Sequence, residues 1–183
     1  MIEVKEKRPY VLQEGDRFQN EICLEFDAIS CNESFARVAV AAFIAPLNPT
    51  MEEVSDVKTA VSEAVTNAII HGYENTYGYG KHGQSSPVCC PIHEGKVYLR
   101  CRLSQGILYV EIEDKGVGID NLSRAMEPLF TTRPELERSG MGFAFMEAFM
   151  DDLEVESQPG RGTIVKMKKK LGSGGWLSCE EEG

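Results

Sequence analysis

The stretch Ser62-Glu63-Ala64-Val65-Thr66-Asn67-Ala68-Ile69-Ile70-His71-Gly72-Tyr73 carries two periodicities at once. Val61, Ala64, Val65, Ala68 and Ile69 continue an apolar stripe that begins at Val54 and Val57, the spacing of a helix laid on a core. Glu63 and Asn67 stand four residues apart, outside that stripe, so a carboxylate and an amide project from one helical face. Thr50 with Glu53 supplies a capping-box start, and the helix is predicted to end near Gly72.

Working outward toward the N-terminus, Ile22, Leu24 and Phe26 alternate with Glu21, Glu25 and Asp27, the pattern of a half-buried strand. Ser30 and Glu33 repeat the capping-box spacing, and a first helix with Phe35, Val38, Ala39, Ala42 and Phe43 runs to Pro46. Toward the C-terminus, residues 96–103 and 107–113 read as a hairpin turning at Ser104, Gln105 and Gly106. A loop-rich stretch follows from Lys115 to Gly142, with a short helix expected at residues 121–126. A helix over 143–150 and a second hairpin, 153–157 and 163–171, complete the order. Strand, two helices, hairpin, lid, helix, hairpin predicts an α/β (α+β) two-layer sandwich: a mixed, mostly antiparallel sheet with helices on one face. Lys166, Lys168, Lys169 and Lys170 are expected to form a solvated strand edge.

With 183 residues and 42% hydrophobic content, one domain with a proper core is expected. It is bounded at 21–171, with an extension at 1–20, an insertion at 75–95 and a tail at 172–183. The formal charge of −10 argues against adhesion to nucleic acid or to an anionic membrane. No apolar run has the length of a bilayer span or a signal peptide, so a cytoplasmic protein is expected. Six cysteines without CxxC spacing read as reduced thiols. His82, Cys89, Cys90 and His93 in the insertion have an unorthodox spacing for zinc, which is not expected to bind.

Two further motifs suit a phosphorylated nucleotide. Asp114-Lys115-Gly116-Val117-Gly118 follows a strand, where an aspartate can accept a hydrogen bond from an adenine amino group and glycines allow close backbone approach. Ser139-Gly140-Met141-Gly142-Phe143 opens a helix, offering backbone N–H groups to phosphates. Thr131, Thr132, Arg133 and Arg138 precede it, and an arginine there would neutralise charge during phosphoryl transfer. Neither a Rossmann GxGxxG nor a Walker A loop is present.

The ordered set ExxxN, DxGxG and GxG resembles the Bergerat-type nucleotide-binding fold of the GHKL superfamily. The stretches Glu33-Ser34-Phe35-Ala36-Arg37, 62–73 and 128–143 are similar to the anti-sigma F serine kinases of endospore-forming bacteria. The resemblance implies ATP and Mg2+ as cofactors. It makes Glu63 the general base, Asn67 the magnesium ligand and Arg138 the lid arginine at the terminal phosphate. Asp114, Gly116 and Gly118 would form the adenine wall, and Gly140 and Gly142, with Thr131, Thr132 and Thr163, would complete the nucleotide site. Arg37 would contact protein partners: sigma F, kept from RNA polymerase, and an anti-anti-sigma protein phosphorylated on serine. A homodimer is implied as well. The alternatives are a nucleotide-switched binder without turnover and a stress-response anti-sigma kinase. The catalytic domain of a two-component histidine kinase would need a helix pair carrying a phospho-acceptor histidine, a role for which His71 is poorly placed.

Overall fold

The computed structural model describes residues 20–73, 95–127 and 141–172. Strand β1 (Asn20–Asp27) leads to helix α1 (Cys31–Ile44), a short 3-10 turn (Ala45–Leu47) and the long helix α2 (Met51–Asn67). A π-helical turn, Ala68–Tyr73, extends α2. After it come β2 (Lys96–Ser104), β3 (Ile107–Asp114), the single-turn α3 (Leu122–Ala125), α4 (Gly142–Phe149), β4 (Asp152–Gln158) and β5 (Gly162–Lys170). The strands lie in the order β1-β2-β3-β5-β4, and all four pairings are antiparallel.

Alternation decides which side of each strand is covered. Val97, Leu99, Cys101 and Leu103 of β2 and Leu108, Val110 and Ile112 of β3 are buried with Val165 and Met167 of β5. Against them lie Ala36, Val40 and Ile44 of α1, Val57, Ala60, Val61, Ala64 and Val65 of α2, and Met146 of α4, in one contiguous core. The intervening strand residues make rows of charge. Arg100 meets Glu21 at 3.3 Å and Glu111 at 3.7 Å, and Lys96 meets Asp27 at 2.8 Å. Lys166 pairs with Glu154 and Glu156. Burial pushes the Cys101 thiol up to about 12, so it stays a protonated, apolar filler. Cys23 and Cys101 carry free thiols.

Three local expectations change. The capping box at Thr50 and Glu53 forms in both directions, but Ser30 has helical backbone angles instead of the extended ones of Thr50 and makes no side-chain cap, and the Glu33 carboxylate is engaged elsewhere. It accepts a hydrogen bond from Ser62 Oγ and pairs with Arg37 at 3.4 Å, so tertiary contacts outbid the local cap. The regular α-helix stops at Asn67, and the last turn widens to π geometry before Gly72. The lysine-rich strand β5 is internal, not an edge: it lies between β3 and β4. Lys169 donates to Asp56 Oδ2 at 2.9 Å and to the Phe149 carbonyl at 2.6 Å, tying β5 to α2 and to the C-terminal end of α4. A lysine spaced with its solvated neighbours on the same strand is thereby a half-buried clamp.

Candidate functional site

Glu63 and Asn67 emerge half-buried from α2, on the side away from Val57, Val61 and Val65. The first residue of α4 lies against both. A Cβ added to Gly142 would stand 3.0 Å from Glu63 Oε2 and 3.3 Å from Asn67 Nδ2. Two motifs some eighty residues apart therefore meet, because α4 packs along α2. The absent side chain at Gly142 leaves the carboxylate and the amide uncrowded where the chain enters a helix.

The π turn carries the helix on to the third motif. Its Gly72 carbonyl accepts from Val117 N–H at 2.9 Å, joining the turn to the loop after β3. Gly116 packs so closely there that a Cβ would lie 2.0 Å from the Gly72 oxygen. Gly72 in turn faces Asp114, whose Oδ1 would be 2.8 Å from a Cβ at that position. Asp114 is only 4% exposed. Burial pushes its carboxyl up to about 6, against the opposing effect of hydrogen bonds from the Gly116 and Thr163 backbone. Gly116 N–H donates to Oδ1 at 2.9 Å.

The remaining residues of this wall support rather than line it. Gly118, at φ +71°, has no room for a Cβ beside the Gln158 carbonyl, 2.2 Å away. Thr163 lies opposite Asp114 in the β3–β5 register, and its hydroxyl is 2.9 Å from Ser157 Oγ. Ser157 Oγ also accepts from Ile119 N–H at 2.8 Å, fastening the far end of the glycine loop. The sequence reading did not single out Ser157, Gly162 or Tyr73 for this site. A Cβ on Gly162 would lie 2.0 Å from the Asp114 carbonyl, at φ +99°. Tyr73 donates to the Lys96 carbonyl at 2.6 Å and accepts from Lys115 N–H at 2.7 Å, locking the π turn to β2 and to the start of the loop after β3. Burial raises its phenol, keeping it a donor. Tyr73 sits inside the quoted 62–73 stretch, but only its tertiary partners reveal this role; Ser157 and Gly162 lie on a hairpin with no signal of their own.

Glu63, Asn67, Asp114, Gly116, Gly118, Gly142 and Thr163 thus line or brace one region between α2, α4 and the ends of β3 and β5. Arg37 lies on α1, where its side chain is 37% exposed and bonds to Glu33 and Ser34; through Glu33, which also holds Ser62 Oγ, it borders α2 next to Glu63. Thr131, Thr132, Arg138 and Gly140 lie outside the described residues, as do His82, Cys89, Cys90 and His93.

Residues 32–169 match the model of the histidine kinase-like ATPase domain, a span that runs from α1 to β5 and includes all three sequence motifs. The chain is 55% identical over 153 residues to an anti-sigma F factor of Bacillus licheniformis, covering 84% of this chain and 94% of that one. It is 54% identical to those of Bacillus subtilis, with the same coverage, and of Clostridium beijerinckii, over 83% and 95% of the two chains. The chain belongs to the anti-sigma F factor family of histidine kinase-like ATPase domains. A solved structure of the RsbU and RsbW domains of a Mycobacterium tuberculosis protein shares the fold, with a TM-score of 0.52 at 17% identity, over 83% of this chain and 32% of that one. Membership in the family makes the region between α2, α4 and Asp114 part of an ATP-binding, kinase-like domain. Among the described residues, no helix is long and apolar enough to cross a membrane.

Proposed function

We infer that this chain is an anti-sigma kinase that binds sigma F, keeps it from RNA polymerase, and uses ATP to phosphorylate an anti-anti-sigma protein on serine. The observation that carries the reading is the meeting of Glu63 and Asn67 with the backbone of Gly142. A carboxylate, an amide oxygen and a side-chain-free helix start are what transfer from a nucleotide to a hydroxyl requires at its reacting end. Names of relatives that include sigma F support the choice of partner.

In this reading Asp114, buried and ionised at neutral pH, accepts the adenine amino group, and Gly116 and Gly118 let the base approach the wall. Gly140 and Gly142 pass the phosphates, with Thr131, Thr132 and Thr163 completing the site. The oxygen of Asn67 would hold magnesium, which neutralises phosphate charge when bound. Glu63 takes the proton of the acceptor serine as its Oγ attacks the terminal phosphorus and the ADP oxygen departs. Arg138 balances the charge on the moving phosphoryl group. Arg37 belongs to the partner-binding surface. The working unit is the domain at residues 21–171, as a homodimer in the cytoplasm, without direct contact to nucleic acid or membrane.

The deciding experiment is transfer of labelled terminal phosphate from magnesium-ATP to the anti-anti-sigma protein of the same organism. Serine labelling is expected, and Glu63→Gln should slow it by about 10²–10⁴-fold while leaving ATP affinity intact. A wild-type protein that binds nucleotide and sigma tightly but labels nothing would reduce the chain to a nucleotide-dependent binder.

A further inference from the structure

Beside Glu63 an open groove of about 310 Å³ runs along α2 toward its N-terminus, lined by Arg37, Ser55, Lys58, Thr59, Ser62 and Glu63. Its chemistry departs from that of the chain as a whole. The protein carries a formal charge of −10, yet this lining holds two cations, three hydroxyls and one carboxylate, the last being the proposed base. Arg37 is partly balanced by Glu33, 3.4 Å away, and that carboxylate also holds Ser62 Oγ, so the arginine is fixed along the wall. Lys58 is half-buried and makes no ion pair among the described residues. It is the unbalanced charge of the groove.

We propose that this groove receives the segment of the protein acceptor that flanks its phosphorylated hydroxyl, and that Lys58 selects acceptors with an Asp or Glu beside that hydroxyl. The proposal rests on the kinase reading above and adds to it a positioning residue and a sequence preference. Spacing sets the preference. Lys58 precedes Glu63 by five residues, about 7.5 Å along a helix that rises 1.5 Å per residue. An extended peptide advances about 3.3 Å per residue, so a carboxylate about two positions from the reacting hydroxyl lies level with Lys58. The hydroxyls of Ser55, Thr59 and Ser62 between them can bond to the acceptor backbone without imposing a side chain. An uncompensated cation in a groove that leads to the base acts by steering and by register, since complementary charge raises the encounter rate and rejects like-charged partners.

The test measures phosphate transfer against acceptor concentration, with the anti-anti-sigma protein of the same organism as acceptor. Lys58→Glu should raise KM about tenfold with kcat changed less than twofold, the signature of lost docking rather than lost chemistry. Lys58→Arg should retain wild-type KM. Reversing the acidic residue nearest the acceptor serine to Lys should weaken transfer by the wild type and restore it to Lys58→Glu. An unchanged KM in Lys58→Glu, or no rescue by the reversed acceptor, overturns the proposal. Weakened ATP affinity in Lys58→Glu also overturns it, because the groove would then belong to the nucleotide. If the wild type transfers no phosphate, the kinase reading fails separately. The groove is then decided by fluorescence anisotropy of labelled acceptor protein bound in the presence of ADP: weaker binding to Lys58→Glu supports the groove, and equal binding overturns it.

Discussion

At the Asp114 end of the site backbone meets backbone. Gly116 against Gly72, Gly118 against Gln158 and Gly162 against Asp114 leave about 2 Å where a Cβ would stand, and Tyr73 and Ser157 fasten what the glycines bring together. At the Glu63 end, half-buried polar side chains stand on a regular helix, a single glycine gives them room, and an open groove begins. The two ends therefore answer to different kinds of substitution. Glu63 and Lys58 can be altered in their chemistry with the helix intact, whereas the Asp114 wall cannot lose a glycine without shifting the strands that build it.

The largest expected effect breaks that contrast at its tightest point. Gly116→Ala forces a Cβ into the Gly72 carbonyl, and the clash is with backbone that cannot rotate away. A loss of about 3–5 kcal/mol in chemical denaturation is expected, together with loss of nucleotide binding. A variant of near wild-type stability would show that the loop has slack the geometry denies it.

Asp114→Asn sharpens the comparison in the opposite direction, by trading binding for stability. The folded carboxyl titrates at about 6, above its value in an unfolded chain, so the folded state binds more protons between pH 4 and 6. The stability this group contributes is fully present below about pH 4 and is lost as pH rises through 6. Asn keeps an oxygen for Gly116 N–H and carries no buried charge. It should gain about 2–3 kcal/mol at pH 7, an advantage that narrows toward pH 4, while ATP affinity falls sharply. Urea melts at both pH values check the first claim, and nucleotide titration checks the second. In the wild type, ATP should also bind more weakly below pH 6, as the carboxylate becomes protonated.

Away from the site, Lys169→Ala strands the Asp56 carboxylate and the Phe149 carbonyl, and should cost about 1–3 kcal/mol in thermal or chemical unfolding. Lys170→Ala, one residue along and exposed, should stay within about 0.5 kcal/mol. Equal effects would return the whole basic run to the solvated role its composition suggests. Among the glycines the smallest effect belongs to Gly160, which also has a positive φ, +75°, but open space around it. Gly160→Ala should cost about 1 kcal/mol from backbone strain alone, against the several expected at Gly116.

Much of the layout was legible because its signals are local. The alternation in β1, the apolar stripe of α2 and the Thr50–Glu53 box each follow from residues close enough to interact within one element, and each element formed where those residues stand. Where a side chain had a better partner elsewhere, the local signal failed. Ser30 and Glu33 have the same spacing as Thr50 and Glu53, but Ser62 and Arg37 claim the glutamate. Lys169 reads like its neighbours until α2 and α4 close over it.

By itself, then, the sequence determined the order of the elements, which face of α2 is apolar, and that Glu63 and Asn67 share the other face, because helix and strand periods are properties of the backbone. Only the tertiary structure decided that Gly142 lies against that pair, that a π turn delivers Gly72 to Asp114, that Ser157 and Tyr73 hold the wall, and that Lys58 borders a groove. Those outcomes depend on close packing between segments far apart in the chain, where a missing Cβ or a burial energy acts only after the core has formed.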